Sequence, residues 1–260
     1  MVDPKDADSK KSDKKTIVPA LPASSVLLVR DGDTGLEVLM MERAKTMKFA
    51  PGAFVFPGGK VDAEDSDADL WEGLTNSALK LSDFAFRLAA LRELYEEAAV
   101  MLTVDAIEPP AGTQNFREDL LAVSGVLNTE GLVPFAHWVT PETVSRRFDT
   151  YFFLAAHNGQ TAKHDGNEAI SLRWVNPQIL LADWEEDKVP LMFPTRLNLM
   201  KLARASSVAE ALEQARNTPV VRTLPTITRG EDGISIAIDK ASGYGVTEGS
   251  FRDLKTEMPK

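Results

Sequence analysis

The chain contains no cysteine. That single absence excludes disulfides, a thiol nucleophile, thiolate zinc sites and iron–sulfur clusters. Histidine is nearly as scarce. His137, His157 and His164 are the only three, too scattered for a HExxH pair. A bound metal would therefore be a hard cation held by carboxylates and carbonyls. No apolar run approaches the roughly 18 residues of a membrane span. The opening MVDPKDADSKKSDKKT lacks the apolar stretch of a secretory signal, and its aspartates argue against a transit peptide. The closing TEMPK shows no address signal. A cytoplasmic protein with no membrane partner is expected. An excess of positive charge is also missing: 29 Lys and Arg stand against 39 Asp and Glu, a net −10. Phosphate backbones are bound through Lys/Arg excess, so no nucleic-acid partner is expected.

What is present is an ordinary soluble composition, 43% hydrophobic and 26% charged over 260 residues. That suits one large domain with elaborations. Residues 1–19 are polar and read as a disordered tail. Two β-rich runs flank Gly32, Asp33, Thr34 and Gly35, which predicts a hairpin. FVFPGG (54–59) reads as a strand ending in a glycine turn, and residues 105–120 read as loop. FAHWV (135–139), YFFLAA (151–156), SLRWVNP (171–177) and ISIAID (234–239) predict further strands. A long helix is expected over 195–216. Strands and helices mixed in this order predict an α+β fold with a sheet sandwiched by helices.

The most informative segment is LRELYEEAAV (91–100). The pattern predicts a helix from Ser82, as N-cap, to Met101, with Phe84, Leu88, Leu91, Tyr95 and Ala98 on one face. Glu93, Glu96 and Glu97 stand at i, i+3 and i+4, so they share a side of that helix. Like charges so spaced repel by a few tenths of a kcal/mol, and a divalent cation would remove the repulsion. Arg92 can pair with Glu96, four residues on. Taken alone, such a triplet is more often a solvated acidic face. Here a Pro57-Gly58-Gly59 turn precedes it, and glycines let backbone carbonyls approach a cation closely. Six acids and no base occupy Asp62 to Glu72.

Gly59 together with RELYEEAAV resembles the box of the Nudix family, G-x5-E-x7-R-E-U-x-E-E-x-G-U with U aliphatic. Asp65 falls where the box has its first Glu. Arg92, Glu93, Leu94, Glu96, Glu97 and Val100 match the second half without a gap. Two departures stand out. Asp65 and Arg92 are 27 positions apart where the box has 8, an insertion of 19 residues. Ala99 replaces the last box Gly, so the helix is expected to continue to Met101 rather than stop in a left-handed turn. ERAKTMKFAPGAFVFPGGKVDAEDSD, RRFDTYFFLAA and NEAISLRWVNP are similar to a split-box subgroup that includes a peroxisomal coenzyme A diphosphatase.

The resemblance implies a Nudix-type α/β/α sandwich of mixed sheet over residues 20–190, with the box insertion near 66–83. Residues 191–260 would be a C-terminal helix and hairpin extension. It implies Mg²⁺ or Mn²⁺ held by Glu93, Glu96 and Glu97, with the Gly58 carbonyl as a further ligand and Arg92 orienting. Glu168 is the proposed general base; alone it reads equally as an exposed loop acid. Arg43 and Arg147 are proposed to meet substrate phosphates, because an arginine fork suits phosphate oxygens; Arg147 could instead pair with Asp149. His137, Trp138 and Phe152 read as core. The implied activity is hydrolysis of a diphosphate linkage in a small nucleoside diphosphate derivative, coenzyme A or an acyl-coenzyme A first. The alternatives are ADP-ribose, a dinucleotide or a nucleoside diphosphate sugar, or a catalytically silent nucleotide sensor. A homodimer is the family expectation.

Overall fold

Val26, Leu27, Leu28 and Val29 are consecutive apolar residues with no solvent exposure. Strand side chains alternate between faces, so such a run must be covered on both sides. It forms the middle of β1 (Leu21–Gly32). The computed structural model describes residues 17–44, 46, 50–76, 81–110, 115–164, 169–230 and 233–249. Within them β1 lies inside a mixed sheet. β2 (Gly35–Arg43) returns antiparallel through the expected hairpin. β3 (Phe54–Val55) and β7 (Ala169–Val175) pair with β2, and β4 (Gly58–Lys60) pairs with the first part of β1. On the other side of β1, β6 (Phe148–Ala156) runs parallel to it from Leu21↔Phe148 to Val29↔Ala156. β5 (Val133–Val139) and β8 (Arg222–Thr223) complete the order.

Each face has its own core. On one, Val26, Leu28 and Phe153 meet Leu88, Leu91 and Leu94 of α1 (Phe84–Ala98) and Phe116 of α2 (Phe116–Ala122). On the other, Leu27, Val29 and Leu154 share a cluster with Leu180 of α3 (Pro177–Glu185), Phe193 and Leu197 of α4 (Phe193–Leu202) and Ala211 of α5 (Val208–Asn217). This is the α/β/α sandwich expected from the sequence. An antiparallel sheet of β9 (Thr226–Gly230), β10 (Gly233–Ala237) and β11 (Glu248–Gly249) adds Ile236 to the second core. Tyr244, from the same stretch, accepts a hydrogen bond from Trp138 Nε1 and donates one to Asn198 Oδ1, both at 2.8 Å.

Four local expectations are corrected. α1 stops at Ala98, and Ala99 takes the left-handed conformation at φ 55° with its N–H donated to the Tyr95 carbonyl. Val100 and Met101 have no exposure, and Met101 N–H is bonded to Gln160 Oε1 at 2.8 Å. Burying them requires the turn, which outweighs a left-handed cost for alanine of about 1 kcal/mol. Ser82 is not the cap; Asp83 stands there, its carboxylate accepting from Arg87 Nε at 2.9 Å. The predicted helix 195–216 is two helices, because Ser207 accepts from Glu210 N–H while the Glu210 carboxylate accepts from Ser206 N–H, a reciprocal cap that starts α5 afresh. The predicted loop at 105–120 contains the start of α2, capped by Asn115, whose side chain accepts from Glu118 N–H.

Candidate active site

α1 is buried around most of its circumference: Ala89, Ala90 and Leu94 have no exposure, in addition to the predicted apolar stripe. Its charged side is therefore no free surface. Glu97 is 8% exposed and accepts the Gly58 N–H at 2.8 Å. Gly58 and Gly59 stand opposite Ser25 and Ser24 of β1. Ser25 Oγ and Val26 N–H both donate to the Pro57 carbonyl, at 2.8 and 2.9 Å, and fix the turn. A Cβ at Gly58 would lie 2.4 Å from the Ser24 oxygen, and one at Gly59 would lie 2.3 Å from a Glu93 carboxylate oxygen. Glycine lets β4 close on β1, and lets the Glu93 carboxylate close on β4.

Arg92 joins the two halves of the split box. Nε and Nη2 grip Asp65 at 3.1 and 2.9 Å in a fork. Nη2 also donates to the Lys60 carbonyl at 2.8 Å. Nη1 donates to Glu93 Oε1 at 3.0 Å and Glu96 Oε2 at 3.1 Å. Asp65 has no exposure and also accepts the Asp62 N–H at 2.8 Å. A single-turn helix at Glu64–Ser66 carries Asp65 to the guanidinium, so its shorter side chain suffices. The insertion packs beside it: Trp71 donates to the Glu64 carbonyl at 2.8 Å and stacks obliquely on Phe116 with ring centroids 5.8 Å apart.

The electrostatics are those of a carboxylate cluster short of cations. Burial pushes the Glu93 carboxyl up to about 7, against the lowering effect of Arg92. Glu96 is raised for the same leading reason. Burial opposes the charge on Arg92, but Asp65, Glu93 and Glu96 overcome it and hold the guanidinium ionised. Asp62, Asp65, Glu93 and Glu96 thus share one close guanidinium, with Glu97 held beside them on the Gly58 N–H. Hard oxygens in that charge imbalance, and a glycine cradle at Gly59, fit a divalent cation. Among the described residues no three acids or histidines already converge on one cation position. Arg92 holds Glu93 and Glu96, and the Gly58 N–H holds Glu97, so a cation would draw these oxygens toward itself.

The other sequence-proposed residues are placed as follows. Arg43 ends β2, half-buried, at the sheet end where β4 lies. It pairs in register with Ala169. Glu168, the preceding residue, lies outside the described residues. Arg147 is 6% exposed and donates Nε to the Thr140 carbonyl and Nη1 to the Val18 carbonyl. It therefore anchors the chain entering β1. It does not pair with Asp149, whose carboxylate meets His137 and Arg222. His137 and Trp138 are core-side residues as expected, the first stacked on Tyr151 at 4.1 Å.

Sequence reasoning missed a cleft of about 530 Å³ beside Arg92 and Glu96, between the inserted segment and the start of α2. Its far wall holds Asn115, Phe116 and Arg117. The N-F-R-E spacing of a capped helix start was the available signal.

The NUDIX domain family matches residues 20–193, well over half of the chain. The acyl-coenzyme A diphosphatase NUDT19 of Xenopus laevis is 26% identical over 260 residues, which covers 76% of this chain and 68% of the frog protein. The Homo sapiens protein of the same name is 26% identical over 236 residues, covering 68% of this chain and 63% of its own length. The chain thus spans about two thirds of these relatives. The crystal structure of a NUDIX hydrolase from Alicyclobacillus acidocaldarius superposes with a TM-score of 0.64 at 25% identity, covering 76% of this chain and 97% of that one. No described helix is long and apolar enough to cross a membrane. Glu93 and Glu97 meet a glycine turn and Glu96 is tied to Arg92 beside them, so inside a span matched in this way they are no solvated acidic face: the chain belongs to the Nudix family of hydrolases.

Proposed function

We propose that the chain uses a divalent cation to hydrolyse the diphosphate linkage of a nucleoside diphosphate derivative, with coenzyme A or an acyl-coenzyme A as first substrate. The observation that carries this reading is the closure of Glu93 and Glu97 on Gly58 and Gly59, with Arg92 locking Asp65, Glu93 and Glu96 together. The names of the NUDT19 relatives support the choice of coenzyme A.

Glu93, Glu96 and Glu97 are the proposed cation ligands, with the Gly58 carbonyl beside them. Bound Mg²⁺ or Mn²⁺ would neutralise phosphate oxygens and lower the pKa of a water. Arg92 holds Glu93 and Glu96, and the Gly58 N–H holds Glu97, so the three carboxylates are kept close to the turn and a cation would draw their oxygens together. Glu168 is the proposed acceptor of the water proton. Arg43 and Arg147 are proposed to meet phosphate oxygens; Nη2 is the Arg147 nitrogen without a hydrogen bond among the described residues.

Incubation with a panel of diphosphate compounds and Mg²⁺ or Mn²⁺, with product identification, tests the reading. Coenzyme A should yield 3′,5′-ADP and 4′-phosphopantetheine. Faster turnover of ADP-ribose, a dinucleotide or a nucleoside diphosphate sugar would replace the substrate. Binding of one compound with turnover of none would make the domain a sensor and overturn the proposal.

A further inference from the structure

The cleft beside Arg92 and Glu96 is too large to be a packing defect. Its walls are chemically distinct. Asp62 and Glu64 come from the segment after the glycine turn, Asn115 and Arg117 from the start of α2, and the aromatic residues Trp71 and Phe116 lie between. Trp71 and Phe116 line the cleft as its floor but are 2% and 3% exposed, so only a small apolar edge of each reaches it. Arg117 donates Nε to the Leu70 carbonyl at 3.2 Å, which ties α2 to the insertion. Its terminal nitrogens carry no hydrogen bond or ion pair among the described residues, although four acids line the same cleft. A buried-edge guanidinium held by one nitrogen presents the other two as fixed donors.

We propose that this cleft receives the uncharged arm of the substrate, beyond the scissile diphosphate, and that Arg117 is the residue that recognises a carbonyl on it. The inference rests on the hydrolase reading of the adjoining carboxylates. Carboxylates of Asp62 and Glu64 accept N–H and O–H groups, while Arg117 and the amide of Asn115 donate to carbonyl oxygens. An arm of alternating amides and hydroxyls with methyl-bearing carbons satisfies both walls and the aromatic floor. A second phosphate would meet Arg117 but would also face Asp62 and Glu64, which lie outside the proposed cation ligands, in a cleft where four carboxylates outnumber the guanidinium groups of Arg92 and Arg117, and like charges at short range repel. The arm that fits is of the pantetheine type, not the phosphorylated nucleoside. The split box then has a use: the inserted residues form one side of the specificity cleft.

The probes are pantetheine, which is neutral, and 3′,5′-ADP, which is not. Their binding to the full chain is measured by calorimetry, without turnover. The wild type should bind both at once. Arg117→Ala should weaken pantetheine about tenfold or more and leave 3′,5′-ADP within twofold. It should raise KM for coenzyme A more than it lowers kcat. No pantetheine binding to the wild type, competition between the two probes, or a loss confined to 3′,5′-ADP would overturn the assignment. The wild-type competition decides the matter even if the variant fails to fold. An inert protein that binds pantetheine through Arg117 would sink the hydrolase reading alone. Turnover of coenzyme A with pantetheine binding indifferent to Arg117 would sink the subsite alone.

Discussion

Asp65 is the residue on which the split box closes. Its carboxylate is fully buried and receives two nitrogens of Arg92 and the Asp62 N–H. Removing one partner of a buried pair leaves the other charge uncompensated. Asp65→Ala should therefore cost about 3 kcal/mol, the low end for such pairs because Arg92 keeps Glu93 and Glu96. Urea unfolding measures this, and an unchanged midpoint would contradict it. Activity should fall too, because Arg92 positions two proposed ligands. At this scale the sequence was legible where residues are neighbours on one helix. That Glu93, Glu96 and Glu97 share one side of α1 follows from spacing alone, whereas their proposed role as ligands came from the resemblance. The Arg92–Asp65 contact spans 27 positions, and nothing local sets its geometry. Arg147 shows the same limit: its carbonyl partners, Val18 and Thr140, are not neighbours that local spacing reveals.

Elements were legible by their apolar pattern and less so by their ends. The stripe of α1 is as expected, yet its last turn is decided by the burial of Val100 and Met101, a tertiary effect. Ala99 at φ 55° stores local strain that glycine would not. Ala99→Gly should raise stability by up to about 0.5 kcal/mol, the relieved strain of about 1 kcal/mol less about 0.4–1 kcal/mol for the extra freedom of glycine in the unfolded chain. A lower urea midpoint in the variant would refute the left-handed stop. The break between α4 and α5 was written in S-S-V-A-E, where Ser207 and Glu210 cap each other, but continuous helix formers on both sides masked it.

For the whole molecule, the mixed order of strands and helices and the resemblance to the Nudix box pointed to the sandwich, and the burial of Val26–Val29 on both faces of β1 accounts for it. The parallel pairing of β1 with β6 was not legible, since more than a hundred residues separate them and only the completed cores select it. The acidity also gains a place. Residues 62–100 carry −7 of the net −10, and the fold gathers much of it around Arg92. The second layer can be tested through Lys201, whose Nζ donates to the Phe135 carbonyl at 2.6 Å. Burial, with a smaller push from Arg204, brings its pKa down to about 8. Between that value and the ordinary one near 10.5, the unfolded chain holds a proton that the folded chain has released. Stability contributed at this site must then rise with pH across that window. Lys201→Met should lack the rise, so the wild type should gain on the variant between pH 8 and pH 10 in urea unfolding; parallel curves would contradict the burial. Tyr244→Phe should cost about 1–2 kcal/mol, because Trp138 Nε1 and Asn198 lose a buried partner. A thermal midpoint unchanged by it would mean that the C-terminal stretch does not dock as described.

The central claim is that the glutamates of α1 serve a cation in diphosphate cleavage, and Glu97 is the most direct handle on it. The decisive measurement is the rate of 3′,5′-ADP release from coenzyme A in Mg²⁺ or Mn²⁺ by the wild type and by Glu97→Gln, an isosteric change that can still meet the Gly58 N–H. The wild type should turn over only with the cation. The variant should keep the wild-type fold by circular dichroism and lose activity by at least about 100-fold, as loss of a metal ligand demands. A folded Glu97→Gln protein with near wild-type rates, or equal wild-type rates with and without the cation, would contradict the account.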